Sequence, residues 1–253
     1  MKAPILILGG TTEARQLASR LAANGFVCLL SLAGRTKEPA AQPVPTRIGG
    51  FGGADGLAAY LRSEGFGLLI DATHPYAARI SDNAARAATL SGIPLIALRR
   101  PAWQHQGGDI WQAVRSVTEA VEALGTAPRR VFVALGRNEL APLEAAPQHR
   151  YLIRSVDPVE PPLGVPHADY ITARGPFAEA DERRLLEEHA IGVIISKNSG
   201  GSAAYGKIAA ARALGVPVVM IERPALPQAE SGESVEAVAT LVRHHVSSQN
   251  RGE

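Results

Sequence analysis

Apolar positions along this chain fall into two alternating rhythms. Ile5-Leu6-Ile7-Leu8 is an unbroken apolar run that ends in Gly9-Gly10, the pattern of a strand buried on both faces. Thr12 to Ala23 then carries Ala14, Leu17, Ala18 and Leu21 at helical spacing, and Asn24-Gly25 closes it. The same reading predicts strands over 26–32, 67–71 and 94–98 and helices over 57–64 and 78–90. It continues with a helix at 116–124, strands at 130–135, 151–155 and 170–172, a helix at 179–189 and a strand at 192–196. A helix at 203–214, a strand at 217–221 and a closing helix at 234–245 complete it. Strands that alternate with helices imply a mainly parallel sheet covered on both sides.

The two halves resemble each other. Ala87-Ala88, Ser91-Gly92-Ile93-Pro94 and Arg100-Pro101-Ala102 align at one constant offset with Ala210-Ala211, Leu214-Gly215-Val216-Pro217 and Arg223-Pro224-Ala225. Any helix–Gly–x–Pro–strand unit shares part of this pattern, because Gly ends helices and Pro opens strands. The repeated Arg-Pro-Ala goes further. The expected fold is α/β, with two Rossmann-like lobes, mainly parallel sheets and a cleft between them. The lobes are expected at 1–104 and 105–253, with ligand at the carboxyl ends of the strands.

Bulk numbers narrow the function. The chain has 253 residues, 46% hydrophobic and 20% charged, which suits a large packed core. Aromatics are 5% and the formal net charge is +2 with no dense basic run, so no nucleic-acid partner is expected. The one cysteine, Cys28, forms no intramolecular disulfide and no cysteine-based zinc cluster. No apolar run approaches a membrane span. The first apolar run reaches Gly9 too soon for a signal peptide, so a cytoplasmic protein is expected. No metal-ligand spacing, Walker A or Gly-x-Ser-x-Gly elbow is present.

Chemistry gathers at predicted strand ends. Gly9-Gly10-Thr11-Thr12-Glu13-Ala14-Arg15 follows a strand and opens a helix, where backbone approaches a phosphate and free N–H groups meet it. The segment also reads as an ordinary strand–turn–helix corner, since it is not a strict G-x-G-x-x-G. The second strand runs into Arg35-Thr36 with no acid before Glu38, which favours the 2′-phosphate of NADP over the 2′-OH of NAD. A solvated loop arginine is the alternative. Gly49-Gly50-Phe51-Gly52-Gly53 either passes close to a cofactor or makes a tight loop before a helix.

Asp71-Ala72-Thr73-His74-Pro75-Tyr76-Ala77 follows the third strand. His74 and Tyr76 are candidate proton donors, and Asp71 reads as structural. Ser196-Lys197-Asn198-Ser199-Gly200-Gly201 takes the corresponding place in the second half. Lys207 on the next helix faces either an anion or solvent. Arg137 and Arg174 stand at two further strand ends, which suits a substrate with many carboxylates.

Four segments together resemble the precorrin-6A reductase family of cobalamin biosynthesis: ILILGGTTEAR (5–15), DATHPYA (71–77), SKNSGG (196–201) and VPVVMIERP (216–224). The DATHPYA string is the most specific. The resemblance spans nearly the whole chain and implies NADPH-dependent reduction of a ring-D double bond of the precorrin-6A macrocycle to give precorrin-6B. The macrocycle is either metal-free or carries cobalt. It implies that Gly9, Gly10, Thr11, Thr12 and Glu13 line the cofactor and that Arg35 and Thr36 hold its 2′-phosphate, with Gly50 of the glycine cluster the residue expected near it. Thr73, His74 and Tyr76 would lie beside the nicotinamide. Ser199, Gly200, Gly201, Lys207 and Arg223 would approach from the second lobe, with Arg137, Arg174 and Lys197 on the tetrapyrrole substrate. A monomer is compatible with this. Two other functions remain open at this point: an NADPH-dependent reductase of a small carbonyl substrate, and a two-lobed binding module without chemistry.

Overall fold

The computed structural model describes residues 3–34 and 41–249. In chain order the first elements are β1 (Ile5–Leu8), α1 (Thr12–Ala23), β2 (Cys28–Leu32), β3 (Thr46–Ile48), α2 (Gly53–Ser63), β4 (Leu68–Asp71), α3 (Ala78–Ser91) and β5 (Leu95–Leu98). Next come β6 (Trp111–Val114), α4 (Val117–Ala123), β7 (Arg130–Ala134), β8 (Arg150–Ser155), β9 (Ala168–Thr172), α5 (Glu179–Glu188), β10 (Val193–Lys197), α6 (Gly206–Leu214) and β11 (Val218–Ile221). The chain ends in β12 (Glu230–Gly232) and α7 (Val235–Gln249). Among the described residues no helix is long and apolar enough to cross a membrane.

These elements form two compact units, each built on a six-stranded sheet. The first sheet has the order β12-β5-β4-β1-β2-β3 and the second β6-β11-β10-β7-β8-β9. Every recorded pairing is parallel, for example Ile5 opposite Cys28 on one side and Leu68 on the other. The two orders superimpose strand for strand, so the internal repeat of the sequence is a repeat of topology.

The expected division at 104/105 needs one correction. The first unit runs to Pro101 and takes back the chain from Pro224 onward, and the second is Ala102–Arg223. Each sixth strand joins the sheet that its predecessor did not build. β6 follows β5 in the chain but pairs with β11, and β12 follows β11 but pairs with β5. Both crossings fall at the repeated Arg-Pro-Ala segments. The physical reason is packing: Val238, Ala239 and Val242 of α7 bury their side chains among Leu17, Leu21 and Leu98 of the first unit.

Side-chain alternation along the central strands loads both sheet faces. On β1, Ile5 and Ile7 enter the core beneath α1 and α7, whereas Leu6 and Leu8 enter the one beneath α2 and α3 with Leu57, Leu61, Ala84 and Ala87. In the second unit Phe132, Leu152, Leu186, Ile208 and Met220 form the corresponding core.

That second core also holds a charged pair. Arg154 on β8 is bidentate with Glu182 on α5, the Nη2–Oε2 contact being 2.8 Å, and both side chains are buried. The guanidinium lies over Phe177 at 3.7 Å and faces Phe132 at 4.8 Å. Removing one partner leaves the other charge buried and alone. Glu182→Ala is therefore expected to cost about 3–5 kcal/mol in chemical denaturation. A loss below about 1 kcal/mol, the size of an exposed pair, would contradict burial of this one.

Candidate active site

In the first sheet β1 stands between β2 and β4, which is where the strand order reverses. Connections leaving β1 and β4 diverge to opposite faces there and open a crevice at the carboxyl edge. The turn after β1 is shaped by glycine. Gly10 has φ +113°, a region L side chains avoid, and a Cβ on Gly9 would come within 2.7 Å of the Leu30 side chain. Thr11 then caps α1: its Oγ1 accepts from the Ala14 N–H at 3.0 Å and donates to the Ala72 carbonyl at 3.0 Å. One hydroxyl thus ties the β1 turn to the β4 turn.

Asp71, fully buried at the end of β4, organises the rest. Its Oδ1 accepts from the Thr73 hydroxyl at 2.6 Å and the Thr73 N–H at 3.1 Å, and its Oδ2 meets Arg99 at 2.7 Å. Burial works to raise this carboxyl, but the Arg99 guanidinium and the hydrogen-bond donors outweigh it and hold the group below its ordinary value. Beyond the turn, His74 Nδ1 accepts from the Tyr76 N–H at 3.3 Å and the two rings lie 5.6 Å apart. With Nδ1 accepting, the neutral imidazole carries its proton on Nε2.

A cavity of about 470 Å³ lies at this edge. Leu8 and Gly9 from the β1 end, Ser31 and Ala33 from the β2 end, the loop 49–53 and Thr73 form much of its wall. Leu57 on α2 and Arg79, Ile80 and Asn83 on α3 complete it. Its glycine loop is braced from outside. Arg47 donates to the carbonyls of Gly49 and Gly50 at 2.6 and 2.7 Å, and its guanidinium lies 3.8 Å from the Phe51 ring centroid.

The second unit has its own switch point, between β7 and β10. Lys197 at the end of β10 is ion-paired to Glu139 in the turn after β7. The Asn198 side chain grips the backbone of Trp103, accepting its N–H at 2.7 Å and donating to its carbonyl at 2.9 Å. The Trp103 indole N–H donates to the Gly201 carbonyl at 2.7 Å, and Arg223 Nε to the Asn198 carbonyl at 2.8 Å.

The family model described as Precorrin-6x reductase CbiJ/CobK matches residues 4–243. The chain belongs to this family. Across 223 residues it is 63% identical to a Sinorhizobium protein named precorrin-6A reductase, covering 88% of this chain and 85% of that one. A Rhodobacter capsulatus protein of the same name is 48% identical over 95% of this chain and 96% of its own. A solved structure titled CobK precorrin-6A reductase superposes with a TM-score of 0.93 at 48% identity, covering 96% and 97% of the two chains. Relatives named cobalt-precorrin-6A reductase match at 27% to 30% identity. Precorrin-6x reductases are oxidoreductases acting on a CH–CH bond, so the family requires a reductant.

Among the residues that sequence marks for the cofactor, Gly9, Gly50 and Thr73 meet in the one cavity. Gly10, Thr11 and Thr12 form the adjoining turn and helix start. Glu13 turns away to Arg100, at 2.5 Å. His74 and Tyr76 follow Thr73 at the same edge but do not line that cavity. Arg35 and Thr36 lie outside the described residues. In the second unit Ser199, Gly200 and Gly201 follow β10, Arg137 lies in the turn after β7, and Arg174 is exposed after β9.

Lys207 is not exposed on its helix, and the buried Glu182 carboxylate is near enough to act on its amine. The lysine is buried in the second core, donates to the Ala204 carbonyl at 2.8 Å and lies 4.8 Å from the Trp103 ring. Burial, with the nearby Arg154 charge, brings its amine down to about 7. Sequence reading missed the α3 face and Arg47. The available signal was Arg79 and Asn83 at i,i+4, just past DATHPYA.

Asp71 gives this edge an acid limit. Its carboxyl is lowered in the folded state, so its stabilisation is present above the ordinary carboxyl range and lost as pH falls through the folded value. Asp71→Asn should be less stable at neutral pH, with a shallower loss of stability as pH drops below about 4. Urea unfolding of both proteins across that range checks this. Parallel acid limbs would remove Asp71 as the source.

Proposed function

We propose that this chain reduces a ring-D double bond of the metal-free precorrin-6A macrocycle, with NADPH as reductant, to give precorrin-6B. The observation that carries the reading is the 63% identity, over 88% of the chain, to a relative named precorrin-6A reductase. The weaker identity to relatives with the cobalt name supports the metal-free substrate. A two-lobed binder without chemistry and a reductase of small ketones find no comparable support.

The cofactor reading is supported by the fit of the first unit's residues. Gly9 and Gly10 keep the turn after β1 free of side chains, and Thr11 leads into the first N–H groups of α1, an arrangement that suits a pyrophosphate. The cavity at the ends of β1 and β2 has the position expected for an adenosine moiety. When bound, the reduced nicotinamide supplies the hydride. Arg35 and Thr36 remain our candidates for the 2′-phosphate. In the second unit Arg137 and Arg174 are candidates for the carboxylates of the tetrapyrrole, and Lys197 joins them if it exchanges Glu139 for substrate. Ser199, Gly200, Gly201 and Arg223 are assigned to the site with them.

Proton delivery to the neighbouring carbon is assigned to His74 in its imidazolium form, which becomes the neutral ring on transfer, with the Tyr76 ring beside it. Incubation with NADPH and precorrin-6A should consume the absorbance of the reduced nicotinamide, and a small ketone should not replace the precorrin. No consumption with precorrin-6A would overturn the reaction. His74→Ala should lower kcat and change its pH dependence, and full turnover across pH would remove His74 as the acid. Arg35→Ala should raise KM for NADPH by about tenfold to a hundredfold and leave KM for NADH nearly unchanged. Equal effects would remove Arg35 from the 2′-phosphate.

A further inference from the structure

The first-unit cavity has an uneven inventory of charge. Its wall contains glycines, alanine, leucines, isoleucine, phenylalanine, one serine, one threonine, one asparagine and one arginine. Among these lining residues none is acidic, and Arg79 alone is ionisable as a cation. No carboxylate in this described wall is therefore available to receive a ribose 2′-OH.

Arg79 is also uncommitted. Among the described residues its guanidinium has no hydrogen-bond or ion-pair partner. Arg47, the other arginine at this edge, is spent on the Gly49 and Gly50 carbonyls and the Phe51 ring, and it is not part of the wall. Arg79 stands in the first turn of α3, where the helix dipole disfavours a cation and no acidic residue offsets it. A bound anion would remove that conflict. One turn on, Asn83 shares the cavity wall, and its amide likewise has no partner among the described residues.

We infer that Arg79 recognises the adenosine 2′-phosphate, making α3 a determinant of NADPH over NADH, with Asn83 adding a neutral hydrogen bond beside it. The cavity reaches the end of β2 through Ser31 and Ala33, where a dinucleotide fold meets this ribose. Guanidinium geometry suits a phosphate, which it can contact through two N–H groups. The inference rests on the NADPH reading above and adds to Arg35 and Thr36 a second contact to the same phosphate, from α3.

The test is equilibrium binding of NADPH and NADH, followed by nucleotide fluorescence, with the full-length protein and its Arg79→Gln variant. No precorrin is needed, and the exposed position of Arg79 makes the substitution compatible with folding. The wild type should prefer NADPH. Arg79→Gln should weaken NADPH binding by about tenfold to a hundredfold and leave NADH binding unchanged. Arg79→Lys, which keeps charge without the fork, should fall between the two. A wild type that prefers NADPH together with a variant that keeps the preference overturns the role of Arg79 and leaves the cofactor reading standing. Equal weakening of both nucleotides also overturns it. A wild type that binds the two equally overturns the cofactor reading and the inference together.

Discussion

The carboxylate of Asp71 is the constraint on which the first unit's active edge depends. It ends β4, has no solvent, and must be satisfied inside. Satisfying it takes both donors of Thr73 and the guanidinium of Arg99. The first demand bends the chain after β4 into a tight turn, and the second fixes the chain just beyond β5. Thr11 then donates to Ala72 within that turn, so the β1 loop is set by the same point. Three neighbouring strand ends are held by one buried charge, and the cavity wall at Gly9 and Thr73 inherits its shape from it.

Parallel topology explains why all this collects on one edge. Each β–α unit returns its next strand to the same side, so every carboxyl end and every following helix start lies there. The reciprocal placement of β6 and β12 completes each sheet at its outer edge. At each crossing an arginine is tied back to its own unit's switch turn: Arg100 to Glu13, and Arg223 to the Asn198 carbonyl. The repeated Arg-Pro-Ala thus has a structural content beyond ancestry.

Much of this was readable in the sequence, and what was missed has physical causes. The span of α1 was legible residue for residue because a cap, an apolar stripe and an Asn-Gly stop agree. Central strands were legible because burial on both faces makes them continuous apolar runs. β3, β6 and β12 were not, since each is an outer strand with mostly exposed side chains and no such run. The start of α2 was hidden by Gly52-Gly53, and a glycine N-terminus gives no side-chain cap to read. The return of α7 to the first unit depends on which sheet edge lacks a strand, which is a tertiary fact. At the site, the glycine turn and Thr73 announced themselves by motif. Arg47 and the α3 wall did not, because an arginine that braces a loop and one on an open helix face look alike in sequence.

The two units share a topology, and the second carries an added charged cluster in its core. In the first, the ion pairs Asp71–Arg99 and Glu13–Arg100 stand at the carboxyl edge and leave a chamber beside them. The second has Lys197–Glu139 at its own carboxyl edge and, in addition, Arg154, Glu182 and Lys207 within the core beneath α5 and α6, packed against Phe132, Phe177 and Trp103. A buried cluster of this kind carries a desolvation cost that its internal attraction only partly offsets, and it is tolerated when every member is satisfied. Arg154 and Glu182 satisfy each other. Lys207 has a carbonyl and an aromatic face, and burial lowers its amine to about 7, which eases the cost of holding it there. Such a network rewards a single arrangement of side chains and resists being opened.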